Sequence, residues 1–225
     1  MTLSVIVPTF NEEAAIEPTL RRVMEVLSPH ELIVADGGST DRSVERARPY
    51  ARVLALPMSR GGALNRAASV ATGDVLLFLH ADTLLPPRAA AAIDEALRST
   101  KVIGGAFRLR LDEPGRLAAL VAYNVNLRSS LLNSFFGDQA MFVRRAVFVG
   151  MGGFREWSVM EDLEILGRLR RKGRLVLLDE EVVTSARRHR RKGWWRTLVT
   201  IWMLTLLHRL GVPGTTMAQW YPPQR

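Results

Sequence analysis

The chain has no cysteine in its 225 residues, which removes disulfides, thiolate catalysis and cysteine-ligated zinc together and fits a reducing compartment. It has no basic leader ahead of an apolar core: Met1-Thr2-Leu3-Ser4 runs straight into a strand pattern, and we read no signal peptide there. Internal repeats and low-complexity tracts are missing, and so is any linker long enough to separate independent domains, which argues against a solenoid or a string of modules. The most apolar helical stretch, 194–210, holds about 16 mostly apolar residues, against the roughly 20 that a bilayer crossing needs. Acidic residues are the minority charge, 22 against 31 Lys and Arg, for a formal net charge of +9. The basic excess is densest between Arg168 and Arg196. Such a field attracts nucleic acid, anionic lipid or a phosphorylated substrate, or is a solvated face that aids solubility, and net charge alone does not separate these.

What the chain does have is apolar material, 48% of its residues, enough for the core of one large domain, or of one domain with an appendage. Short Val/Ile/Leu-rich runs at 3–8, 31–35, 52–56 and 74–79 alternate with helical patterns at about 13–27, 40–49 and 60–71, the βαβ rhythm of a parallel sheet. Pro86-Pro87 opens an alanine-rich helix through Arg98, and a strand follows at about 102–109. The spacing then predicts a helix over about 115–132, a short strand at 140–143, a flexible turn at 150–154 and a helix from Glu161 to Lys172, stopped by Gly173. In that helix Leu163, Leu166 and Leu169 point inward, and Arg168, Arg170 and Arg171 mostly outward. Two strands, 174–178 and 181–185, come last.

Four acidic stations fall where predicted strands end or helices begin: Asn11-Glu12-Glu13, Asp36, Asp82 and Glu161-Asp162. In open parallel sheets ligands bind at the carboxyl ends of strands, so these carboxylates are placed to meet a ligand. Asp36 ends an apolar strand, and Gly37-Gly38 lets the backbone approach a planar base while the carboxylate accepts from it. Its competing role is to cap a helix, for which Ser39, Thr40 and Asp41 are better placed. Asn11 and Glu13 are also suited to holding a helix start. His80 and Asp82, two apart after Val75-Leu76-Leu77-Phe78-Leu79, point the same way if extended and can share one metal ion. Ser59-Arg60-Gly61-Gly62 begins a helix whose N-terminus suits a diphosphate. Asp162 opens a helix, where the dipole favours a carboxylate, and the neighbouring Glu161 pushes one pKa of the pair upward. The plain alternative is that Glu161, Asp162 and Glu164 only fill a favourable first turn.

The ordered set Val7-Pro8-Thr9-Phe10-Asn11-Glu12-Glu13, Val34-Ala35-Asp36-Gly37-Gly38-Ser39-Thr40-Asp41, His80-Ala81-Asp82 and Glu161-Asp162 resembles the family 2 glycosyltransferases. The resemblance covers about 1–190. It implies an α/β protein of the GT-A nucleotide-diphospho-sugar transferase fold, a mostly parallel Rossmann-like sheet flanked by helices, with a C-terminal helix. The implied division is 1–190, with a nucleotide-sugar-binding half at 1–112 and an acceptor and catalytic half at 113–190, followed by a basic, aromatic helix and tail at 191–225. The implied reaction is inverting transfer of a sugar from a nucleotide diphosphate, UDP by family habit, to a hydroxyl acceptor. By the same resemblance Asp162 is the catalytic base, and Asp36 contacts the nucleobase. Pro8, Thr9, Asn11, Glu13, Arg60, Ala81, Asp82, Gly105 and Asp138 surround the donor, and Gln139, Glu161, Arg187 and Arg188 face the acceptor or the diphosphate. Asp82 matches the position that binds a divalent cation, Mn²⁺ or Mg²⁺, with His80 and His189 as further candidate ligands. Most relatives carry Asp-x-Asp where this chain has His80-Ala81-Asp82.

Paired tryptophans, Trp194 and Trp195, after a basic cluster fit an interfacial anchor on anionic lipid, and equally a helix packed on its own domain or across a homodimer. The expected location is the cytoplasm, with the inner membrane face as a peripheral seat. A dinucleotide oxidoreductase needs Gly-x-Gly-x-x-Gly after the first strand, and a nucleotidyltransferase a glycine-rich basic signature; Thr9-Phe10-Asn11-Glu12-Glu13 is neither. A nucleic-acid binder gives no reason for the acidic strand ends. A catalytically degenerate scaffold, with His80 as its mark, is the competing reading.

Overall fold

The structure is a computed structural model that describes residues 1–132, 134–157 and 160–220. Its strands are β1 (Leu3–Thr9), β2 (Glu31–Asp36), β3 (Arg52–Ala55), β4 (Val75–Phe78), β5 (Thr83–Leu84), β6 (Val102–Leu111), β7 (Met141–Arg144) and β8 (Arg174–Thr184). They form one sheet in the order β3-β2-β1-β4-β7-β6-β8-β5. The first four are parallel, β7 runs against both β4 and β6, β8 is parallel to β6, and β5 closes the far edge against β8. This is the GT-A type of α/β architecture.

The apolar strand runs are continuous because both faces of the sheet are covered. Val5 and Val7 of β1 pack with Ile16, Leu20 and Val23 of α1 (Ile16–Leu27) and with Ile93 of α4 (Ala89–Leu97). Ile6, pointing the other way, packs with Ala63, Leu64 and Ala67 of α3 (Arg60–Val70) and with Leu166 and Leu169 of α7 (Glu161–Leu169). A third cluster joins Leu109 and Leu111 of β6 to Val121 of α5 (Arg116–Leu132), with Trp194 and Leu198 of α9 (Trp194–Arg209) against it. Asn126 of α5 pairs with both the N–H and the C=O of Leu109, at 2.8 and 3.0 Å, so the helix docks on backbone groups that would otherwise be unpaired.

Several expectations are corrected. The two strands at 174–178 and 181–185 are one strand, β8, in which Leu178 and Glu181 face the consecutive residues Phe107 and Arg108, so that Asp179-Glu180 forms a bulge. The helix expected from 13 begins at Ile16, because Asn11 is left-handed (φ 52°) and the Glu12 carbonyl accepts from Ala15 and Ile16. The pattern at 40–49 yields only α2 (Ser43–Ala47). Pro86 lies ahead of α4 and accepts from Ala89 N. His80 and Asp82 are not on an extended strand: β4 ends at Phe78, and Thr83 N bonds the His80 carbonyl in a tight turn. Arg168 is not outward, since it is half-buried, paired with Glu164 and donating to the carbonyls of Met151 and Gly153. Unforeseen elements are β5, α6 (Arg145–Gly150), α8 (Arg187–Lys192) and α10 (Gly214–Trp220). Among the described residues no helix is long and apolar enough to cross a membrane.

Candidate active site

Parallel pairing of β1 with β2 and β4 sets Thr9 opposite Asp36, and brings the loops that follow β1, β2 and β4 to one edge. The first two loops are laced together. Asn11 Oδ1 accepts from Thr40 N at 2.8 Å, the Glu13 carboxylate accepts from Arg42 N at 3.1 Å, and Asp41 accepts from Glu13 N at 3.1 Å. Asn11 and Glu13 therefore hold the approach to α2, the structural role foreseen for them. Asp36, only 3% exposed, accepts from Gly38 N and Ser39 N through Oδ2 and from Ser39 Oγ through Oδ1. Those bonds use about three of the roughly four acceptor positions of a carboxylate. Thr9 is buried, its hydroxyl donating to the Val7 carbonyl.

Beside this edge lies a partnership the sequence did not reveal. Arg187, at the start of α8, donates through Nη2 to both carboxylate oxygens of Glu12, at 2.7 and 2.6 Å, and lies 3.8 Å from Asp82. Burial raises the pKa of Glu12, with Arg187 pulling it back, and burial raises Asp82, with Arg187 and Arg188 opposing. Two desolvated carboxylates thus share one arginine. Among the described residues no group of three or more His, Asp or Glu side chains is arranged to hold a metal ion. The donor set nevertheless suits a hard cation of the kind held by one or two carboxylates and completed by substrate phosphates. Ala81, between the two, is buried, and its carbonyl accepts from Thr19 Oγ1.

A cavity is lined by Pro8, Arg60, His80, Gly137, Glu161 and Asp162, and otherwise by apolar side chains. Arg60 Nη2 donates to His80 Nε2; because a guanidinium has no acceptor, the imidazole is neutral with its proton on Nδ1. Burial and the charges of Arg60 and Arg188 hold the His80 pKa well below its ordinary value. Arg60 Nε lies 3.0 Å from Glu161 Oε1 yet makes no directed hydrogen bond. Burial pushes the Glu161 carboxyl up to about 7, Arg60 opposing and Asp162 adding to the rise. The rise of Glu161 thus comes mainly from burial and only secondarily from its acidic neighbour. Asp162 Oδ2 accepts from Gly137 N at 2.9 Å and Oδ1 from Leu163 N at 2.8 Å, which aims the carboxylate into the cavity. A Cβ at Gly137 would come 2.5 Å from His80 Nε2, so the bare backbone is needed for this approach.

The start of α3 does not present open amides to a diphosphate. Gly61 N is taken by the Trp157 carbonyl, Gly62 N by Ser59 Oγ and Ala63 N by the Ser59 carbonyl. A Cβ on Gly61 would lie 2.1 Å from the Arg155 carbonyl oxygen, so this glycine serves packing. Gly105 likewise sits inside the sheet and does not line the cavity; its Cβ would meet the Val176 carbonyl oxygen at 2.2 Å. Gln139 is fully buried and spends three of its four hydrogen-bonding positions on the protein, accepting from Ser129 Oγ and Phe136 N and donating to the Phe107 carbonyl. It clamps residues 136–139 to α5 and β6, and neither cavity includes it among its lining residues.

Asp138 and His189 belong to a second cavity, with Asn124, Arg128, Phe136 and Trp202. Burial raises Asp138 to about 6, against the pull of Arg188 and Arg128. His189 tilts against Trp194, ring centroids 5.0 Å apart, and lines this cavity, and among the described residues no cluster of three ligating side chains places it on a metal with Asp82. Arg128 was missed in the sequence, although it is one of two charged residues on the otherwise neutral α5. Glu12 was passed over between two neighbours that have structural roles.

Residues 4–152 match the model of a family described as glycosyl transferase family 2. An undecaprenyl-phosphate 4-deoxy-4-formamido-L-arabinose transferase of Pectobacterium carotovorum is 31% identical over 165 residues, covering 66% of this chain and 50% of the relative. A glucosyl-3-phosphoglycerate synthase of Mycobacterium tuberculosis is 36% identical over 97 residues, covering 38% of this chain and 30% of the relative. The chain thus spans about half the length, or less, of these curated relatives. Among solved structures, a mannosyltransferase from Pyrobaculum calidifontis in complex with GDP-mannose and Mn²⁺ superposes with TM-score 0.65 at 25% identity, over 80% of this chain and 56% of the other. The M. tuberculosis synthase, solved with Mn²⁺, UDP and its product, gives 0.63 at 22%, over 94% and 81%.

Proposed function

The chain belongs to glycosyl transferase family 2, and from that membership we propose that it transfers a sugar, with inversion, from a nucleotide diphosphate to a hydroxyl acceptor. One observation carries the reading: the Asp162 carboxylate, fixed by two backbone amides, shares a cavity with Arg60 and His80 at the edge where Asp36 and Asp82 also lie. Asp162 accepts the proton of the acceptor hydroxyl as that oxygen attacks the anomeric carbon and the bond to the diphosphate breaks. Asp82, with Glu12 beside it, would hold Mn²⁺ or Mg²⁺, a Lewis acid that neutralises charge on the leaving diphosphate. Arg60, kept in place by His80 and Glu161, and Arg187 and Arg188, whose charges act on Asp82, add fixed positive charge where negative charge develops. Asp36 retains about one acceptor position for the base, UDP being favoured. The Pyrobaculum relative, in complex with GDP-mannose and Mn²⁺, supports a nucleotide-sugar donor held with a divalent cation, its base being guanine rather than uracil.

Thermal shifts with a panel of nucleoside diphosphates, with and without Mn²⁺, test it. A shift that needs metal, prefers one base and disappears in Asp82→Ala is expected. A folded protein that responds to no nucleotide would favour the degenerate scaffold.

The C-terminal helix supports a reading of the location. α9 buries Thr197, Leu204 and Thr205 but exposes Trp195, Val199, Trp202, Met203 and Leu206, and the neighbouring α5 exposes Leu117, Leu120 and Leu127. With the basic α8 adjoining, this face supports a peripheral seat on the anionic inner surface of the membrane. Binding to anionic vesicles that is lost in Trp195→Ser/Trp202→Ser is expected; a salt-insensitive homodimer through 194–210 would replace the membrane.

A further inference from the structure

The second cavity holds a buried cation short of hydrogen-bond partners. Arg128 is 6% exposed, and its Nε and Nη2, both buried, have no hydrogen-bond partner among the described residues. Its guanidinium is stacked on the Phe136 ring, 3.7 Å from the centroid, and no ion pair joins it to a described carboxylate. Burying a charge without hydrogen-bond partners is expensive, and burial draws the Arg128 pKa down to about 10 against the pull of Asp138 and Asp162. Nε and Nη2 form one edge of the guanidinium, the edge that takes two oxygens of a carboxylate or phosphate side by side. Asp138 Oδ1 and both ring nitrogens of His189 line the same cavity and are also buried without partners, so the space offers acceptors and donors to a polar ligand.

The position of this cavity gives it meaning. Phe136 lines both cavities. The next residue, Gly137, bonds Asp162, and the one after it, Asp138, faces the second space. Residues 136–138 therefore stand between the two cavities, and Arg128 lies near enough to Asp162 for their charges to interact.

We infer that the second cavity seats an oxyanion of the acceptor, a phosphate or carboxylate, gripped side-on by Nε and Nη2 of Arg128, with Asp138 accepting from an adjacent hydroxyl and a His189 ring N–H donating to an oxygen of the ligand. This rests on the reading of the first cavity as the transfer site. The oxyanion belongs either to a soluble metabolite or to a lipid headgroup, and Trp202, which lines the cavity and is half-exposed on the apolar face of α9, is compatible with both.

The test titrates the full chain, saturated with UDP and Mn²⁺, with glycerol 3-phosphate, glycerate and monomeric dihexanoyl phosphatidic acid, using glycerol and dihexanoylglycerol as uncharged controls. At least one anion is expected to bind while its control does not. Arg128→Gln should weaken binding at least tenfold, and Arg128→Lys, which keeps the charge but loses the two-pronged edge, should weaken it by a smaller factor. Binding of the soluble anions points to a metabolite, and binding of phosphatidic acid alone to a lipid headgroup. The inference is overturned if no anion binds the wild type, or if the Arg128 variants bind as the wild type does. Should Arg128→Gln not fold, Arg128→Lys and the charged-against-uncharged comparison in wild type decide. The nucleotide shift is read separately: if it is absent while Arg128-dependent anion binding persists, the transfer-site reading fails and the anion site stands.

Discussion

Arg187 Nη2 lies 2.6 and 2.7 Å from the two carboxylate oxygens of Glu12, a residue 175 positions earlier in the chain. The pair ties α8 to the loop after β1 and holds the arginine 3.8 Å from Asp82. Glu12→Gln removes the charge that keeps Arg187 there, freeing it to close on Asp82 and compete with a cation. The Mn²⁺ concentration needed for half of the UDP-induced thermal shift should rise several-fold; an unchanged midpoint would mean that the pair only anchors α8.

Asp162→Asn keeps an oxygen to accept from Gly137 N but cannot take a proton. Turnover should fall by about 10²–10⁴-fold, the usual contribution of a positioned general base, with nucleotide affinity unchanged within about twofold. Retained turnover would move the base elsewhere, first to Glu161.

Glu161 sets a pH signature on stability. Its folded pKa, about 7, is raised above the ordinary 4.5, so between these values the folded protein keeps a proton that the unfolded chain releases. Stability relative to Glu161→Gln should therefore fall as pH rises from about 4.5 to 7, then level off. Denaturant melts of both proteins at pH 5, 6, 7 and 8 check this, and parallel profiles would contradict it. Asp138, raised to about 6, acts in the same direction but is common to both proteins.

Gly105→Ala puts a methyl group 2.2 Å from the Val176 carbonyl oxygen and 2.8 Å from the Phe142 ring. The oxygen is backbone inside a paired strand and cannot turn away, so the substitution should cost about 1–3 kcal/mol of stability. Nucleotide affinity of the folded fraction should not change; a selective loss of affinity would return Gly105 to the donor wall.

The sequence by itself determined the parallel strands, the helices between them and the acidic residues at their ends, because hydrophobic period and turn chemistry are local and leave their mark within a few residues. Asp36, Asp82 and Asp162 were legible for that reason. Tertiary structure decided what depends on partners distant in the chain. It closed the α3 amides with Ser59 and Trp157, buried Gln139 among Ser129, Phe136 and Phe107, and took Glu12 for Arg187. It also turned Arg128 from the surface into a cavity, which the pattern of α5, apolar on most sides, did not foretell. A side chain's role at a site depends on which groups remain unpaired once the chain has folded, and only the folded arrangement of those groups fixes that.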